Sequence, residues 1–175
     1  MKSAFQQLCA TIAPIGLAAA LLAPVPALAE TVSAMKPASV VEALKTAGYE
    51  ASLTQDESGD PLVKAAIGGW QTLVVFYDCN EITHEACQSL QFNASFMPER
   101  AFDAAHAAAF VRDNRFGAVS VADDKSVNVT WDVITGQGID PSVFALVVKS
   151  YRLALDTIGT QVFAAGRPRL ASAAR

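Results

Sequence analysis

The chain has 175 residues, 52% of them hydrophobic and 17% charged, with a formal net charge of −4. That length suits a single domain with one core behind a leader, and mild acidity argues against nucleic acid or an anionic membrane surface as the main partner. No glycine-rich phosphate loop, internal repeat or low-complexity insert interrupts it.

Residues 1–29 have the three parts of a secretory signal peptide: Lys2 at the start, an apolar run from Ile12 to Leu22, and Ala27-Leu28-Ala29 ahead of Glu30. Pro14, Gly16, Pro24 and Pro26 break the run, which falls short of the about 18 to 20 clean apolar residues that span a bilayer. Cleavage therefore predicts a periplasmic or secreted protein with no stable membrane anchor. Cys9 leaves with the leader. The remaining 146 residues carry 12 basic and 17 acidic side chains, a net charge of −5, because Lys2 is the one charged side chain removed. Residues 30–36 read as a short linker.

After Pro37 and Ser39, the positions Val40, Val41, Leu44 and Ala47 repeat at helical spacing, and Gly48 ends the helix. Tyr49, Ala51 and Leu53 then alternate with polar residues as a half-buried strand, and a turn at 56–61 leads to a second strand over 62–67. Gly68-Gly69 opens the next hairpin.

That hairpin contains "FYDCNEITHEACQSLQF", residues 76–92. Cys79 and Cys87 are the two cysteines left after cleavage, with seven residues between them, which is not the C-x-x-C spacing of redox enzymes. A zinc site could enlist them with His84 and a carboxylate, but a second ligand pair is missing. An even count in an oxidising compartment favours a disulfide between Cys79 and Cys87 over metal or free thiols. If the two face each other across antiparallel strands, Phe76 meets Leu90, Val74 meets Phe92, Thr72 meets Ala94 and Trp70 meets Phe96. Every one of these eight except Thr72 is apolar, so hydrophobicity and the cysteines choose the same register.

Pro98 and Glu99 predict a helix running to about Asn114, with Phe102, Ala105, Ala109 and Phe110 inward. A second hairpin pairs Val119 with Val129 and Val121 with Val127 around an Asp123-Asp124-Lys125 turn. Asp140 caps a last helix that has Pro141 at its first position. Phe144, Val147, Val148, Tyr151, Leu155, Ile158 and Val162 line one side of it. The sum is an α+β two-layer domain over residues 37–163: an antiparallel sheet of about six strands with helices on one face. Residues 164–175, with Arg167, Arg169 and Arg175 among small residues, read as a flexible basic tail.

The residues predict no enzyme, no cofactor and no metal. His84 and His106 are the only histidines, and no serine sits in a G-x-S-x-G elbow. Asp56-Glu57 and Asp123-Asp124 have the look of turn residues. Asn93 and Asn128 match the glycosylation acceptor pattern, yet strand alternation already accounts for them. Leu73, Val75 and Tyr77 stand out more, since they make the central strand apolar on the face away from the helices as well. They are the candidate partner-contact residues if nothing covers them; cover by the N-terminal segment or the last helix is the alternative.

The "FYDC…CQSLQF" hairpin, the "NRFGAVSV" strand entry and the "GQGIDPSVFALVVKSYRLAL" approach to the last helix resemble YbjN-domain proteins, from about Pro37 to Val162. Asn114-Arg115 is what remains of an Asn- and Trp-containing family segment, and Tyr151 stands where a tryptophan is expected. The resemblance implies a bacterial sensory transduction regulator with a fold similar to type III secretion chaperones, no catalytic residues or cofactor, and a homodimer. The leading expectation is thus an exported, non-catalytic interaction module, regulatory or chaperone-like, binding a protein segment through the sheet. A periplasmic small-ligand sensor with a pocket between helices and sheet is the second, and a hydrolase or metal protein using His84 the third.

Overall fold

Burial alternates with period two along the strands of the computed structural model, which describes residues 31–114 and 117–163. The leader, the tail and residues 115–116 lie outside the described residues. In chain order the elements are α1 (Pro37–Thr46), β1 (Glu50–Gln55), β2 (Pro61–Ile67), β3 (Trp70–Tyr77), β4 (Ser89–Phe96), α2 (Ala104–Asp113), β5 (Ala118–Val121), β6 (Val127–Ile134) and α3 (Pro141–Val162). The strands form one antiparallel sheet in the order β1-β2-β3-β4-β6-β5. Val63, Val74, Phe76, Leu90, Phe92, Val127 and Val129 are buried on the side where Phe144, Val148, Tyr151 and Leu155 of α3 complete the core. This is the two-layer α+β architecture.

The β3–β4 register is the one the cysteines and the apolar pattern specify: Phe76 opposes Leu90 and Val74 opposes Phe92. Cys79 and Cys87 are joined by a disulfide just beyond the last pair. At the other end Trp70 meets Phe96 at 5.6 Å between ring centroids, and Phe163 closes the cluster at 5.9 and 5.2 Å from the two. Trp70 Nε1 donates to Asp156 Oδ1 at 3.0 Å, which ties this hairpin end to α3. The second hairpin also has the expected pairs, Val119 with Val129 and Val121 with Val127, and Lys125 takes a left-handed φ of 72° in its turn. Asp140 caps α3 through Ser142 N–H at 2.7 Å.

Three expectations need correction. Pro98 does not open a helix, because the Glu99 and Arg100 N–H groups donate to Val162 C=O at 2.8 and 3.0 Å and pin that segment to the end of α3. The cap passes to Asp103, whose side chain accepts the His106 N–H at 3.0 Å, so α2 starts at Ala104. The later start resets its phase: Ala107 is buried and Ala105 exposed. Residues 31–36 are not a loose linker either. Val32 and Ile139 exchange backbone hydrogen bonds of 2.9 Å each way, and Ala34 N–H donates to Thr135 Oγ1 at 2.8 Å. Backbone pairing, invisible in so short a segment, makes it a strap across the sheet end with Val32, Ser33 and Ala34 buried. Lastly, β1 is mostly exposed instead of half-buried, because it is the sheet edge and α1 covers only part of it; Leu53 is 49% exposed.

Thr72, the polar exception on the inner face, lies buried beneath the sheet as Tyr151 does beneath α3. The Tyr151 hydroxyl has no hydrogen bond of good geometry, and burial raises its pKa, with the Thr72 hydroxyl acting weakly the other way. A buried hydroxyl without a proper partner costs about 1 to 3 kcal/mol. Tyr151→Phe is therefore expected to leave stability unchanged or raise it by about 1 kcal/mol, read from the urea midpoint of the mature protein; a loss of the size seen for a core truncation would contradict this. Replacing Cys79 and Cys87 together by serine opens a loop with a sequence separation of 8. The expected cost is about 2 to 3 kcal/mol, measured against the oxidised protein in the same titration.

Candidate functional site

The sheet has a second face, and its chemistry begins with β3. Odd-numbered residues of this strand point away from the core, so Leu73, Val75 and Tyr77 sit together on the outer side. Leu73 and Tyr77 are 43% and 44% exposed, and Val75 is half-buried between neighbouring strands. Leu62 opposes Val75 from β2, and Ile134 extends the apolar row beside Ser89 at 81% exposure. Among the described residues none on this face is buried, so neither the N-terminal strap nor α3 covers it. The stripe is framed by polar groups: Lys64 opposes Leu73 on one side and Asn93 on the other. Gln91 Nε2 donates to Asp132 Oδ1 at 2.9 Å, which links β4 to β6 across the adjoining row. An apolar strip in a polar frame is suited to burying another molecule's side chains.

The disulfide loop next to Tyr77 is well ordered by its own hydrogen bonds. Asn80 Oδ1 accepts Ile82 N–H and Thr83 N–H at 3.0 and 2.9 Å, and Gln88 N–H donates to Tyr77 C=O at 3.0 Å. His84 folds onto the β1–β2 turn, with Nδ1 2.8 Å from Asp60 Oδ1. The turn favours glycine at Gly59 for its φ of 94°, and the His84 ring lies in van der Waals range of that position. His84 thus docks a loop. His106 is spent in the α2 capping box, 2.7 Å from Asp103. No group of three or more His, Cys, Asp or Glu side chains is placed to hold a metal among the described residues.

Two grooves escaped sequence reasoning. One, of about 470 Å³, lies between α1 and the start of α3, with Val32, Ala43 and Pro141 in its wall and Glu42 at its rim. It exists because the strap brings Val32 there, which no periodicity signals. The other, of about 610 Å³, runs between α2 and the edge strand β5.

The family described as "YbjN: Putative bacterial sensory transduction regulator" matches residues 36–164. Among solved structures, the chain is similar to the "Crystal structure of YbjN, a putative transcription regulator from E. coli", at 12% identity and a TM-score of 0.48, over 71% of this chain and 90% of that one. No curated protein matches.

Proposed function

This chain belongs to the YbjN family, and on that premise we propose that it is an exported, non-catalytic regulatory module that acts by binding a protein segment on the open face of its sheet. The single observation that carries the reading is the uncovered row of Leu73, Val75 and Tyr77 on β3. An antiparallel sheet with one solvated face ordinarily alternates cleanly, so apolar residues on both sides of a central strand call for a second burial surface. Export to the periplasm or beyond is supported by the leader sequence and by the Cys79–Cys87 bond, which suits an oxidising compartment. The absence of catalysis is supported by both histidines being engaged in local structural contacts.

Changing Leu73 or Tyr77 to glutamate places a charge in the middle of the strip. Each variant of the mature protein should lose roughly tenfold or more in association, about 1.4 kcal/mol, whether the association is with itself or with a partner captured from periplasmic extract. Both side chains are already solvent-facing, so the melting temperature should stay close to the parent's. Undiminished association in both variants would count against the face.

A second reading, a small-ligand sensor, is favoured by the α1–α3 groove, whose volume of about 470 Å³ falls in the range of ligand pockets. Here the expected signature is a ligand-dependent rise in melting temperature. Ala43→Phe, which fills the groove, should abolish that rise while leaving association through the sheet intact.

A further inference from the structure

The outer side of α3 has an order of its own. Val143, Leu146, Ser150, Leu153, Thr157 and Thr160 follow one another at steps of three, four, three, four and three. That is the spacing of the a and d positions of a coiled-coil seam. The buried residues Phe144, Val148, Tyr151 and Leu155 lie on the opposite side of the helix. Leu146 is 62% exposed, Leu153 67% and Val143 48%, so the large apolar members of the seam stand in solvent. Its threonines do not oppose burial. Thr157 Oγ1 donates to Leu153 C=O and Thr160 Oγ1 to Thr157 C=O, each at 2.8 Å, which satisfies both hydroxyls within the helix.

Charge borders one side of the seam. Lys149 and Asp156 stand there seven residues apart, about two helical turns, whereas Val147 and Ala154 border the other side. Lys149 is exposed, and the Asp156 side chain is partly so. Asp156 Oδ1 accepts Trp70 Nε1–H at 3.0 Å, and Oδ2 lies 3.5 Å from Arg152 Nε, so the carboxylate is held in place. A carboxylate has about four acceptor sites and takes several donors at once.

An antiparallel copy of the same helix complements this pattern in one alignment. When Ser150 opposes Leu153 of the second copy, Leu146 opposes Thr157 and Val143 opposes Thr160, so a large side chain meets a small one in every layer. Lys149 of each copy then stands beside Asp156 of the other, and two-fold symmetry makes the pair twice. Sliding by one heptad sets Lys149 against Lys149, and a parallel pair sets it against Ala154. Opposite charge therefore selects one register.

We propose that two copies of this chain pair through the outer face of α3, antiparallel, with Leu146 and Leu153 in the seam and Lys149 beside Asp156 of the other copy. A helix of 22 residues is about 33 Å long and about 10 Å wide. One such face buries less than the about 800 Å² per partner of a standard interface, so the dimer is a reversible one in the micromolar range. Because α3 lies on the core side of the sheet, pairing through it leaves both β3 strips facing outward. The dimer is thus a separate contact from the proposed partner-binding face, and it makes that face bivalent.

Sedimentation of the full mature chain tests the inference, in a Leu73→Glu background that removes any association through the β3 strip. The background protein should dimerise in the micromolar range. Leu146→Asp and Leu153→Asp should each weaken the dimer at least tenfold while the melting temperature of the monomer stays the same, because both side chains already face solvent. Lys149→Glu should weaken it about fivefold at low salt and by less as salt rises. A chain that stays monomeric throughout the micromolar range, or a dimer that both aspartate variants leave intact, overturns the proposal. An unchanged dimer in Lys149→Glu overturns the register. A foreign protein held through Leu146 and Leu153 by a monomeric chain would put a different occupant on this face and overturn the self-pairing.

Discussion

The pairing of β3 with β4 is the constraint from which the rest of the molecule follows. A covalent bond at Cys79–Cys87 closes one end of the pair, and the Trp70, Phe96 and Phe163 rings close the other. With both ends held, β4 cannot slip by one residue against β3, a shift that would turn Leu90 and Phe92 to water while Val74 and Phe76 stayed in the core. The core side is thereby set for the two central strands, and β2 and β6 must present their own apolar residues to the same side to continue it. Helix α3 then has one place to lie: Tyr151 against Phe92 at 5.2 Å, and Asp156 within reach of the Trp70 ring nitrogen.

The same pairing creates the surface that the proposed function uses. Once the even-numbered residues of β3 are committed to the core, Leu73, Val75 and Tyr77 have no alternative but the outer face. No described element returns across that face: the chain ahead of α1 is bound to Thr135 and Ile139 at the sheet end, and α3 is occupied by the core. The apolar strip is thus a by-product of register and topology together. Rigidity follows from the flanking ladder, so little ordering is needed when a partner is buried there.

Different parts of this arrangement were legible to different degrees. The hairpin registers were readable because two independent signals, sulfur positions and apolar alternation, agreed on them. The helix caps show where local rules compete. Pro98 obeys a sequence rule for helix starts, but the carbonyl of Val162, far along the chain, claims the neighbouring N–H groups and leaves the cap to Asp103. The strap over residues 31–36 and the groove it completes were illegible for a related reason. Their contacts are hydrogen bonds to residues about a hundred positions away, the Val32–Ile139 backbone pair and the bonds through the Ser33 and Thr135 hydroxyls, and such bonds leave no trace in side-chain periodicity.

By itself the sequence determined the strands and their alignment, the family, and the pairing of two cysteines, because each depends on short-range spacing that side-chain chemistry encodes directly. Whether Leu73, Val75 and Tyr77 meet water was decided only by tertiary structure. Exposure is a property of what other segments do, and it is settled by where the backbone of the N-terminal strap and the body of α3 find their hydrogen bonds and their core.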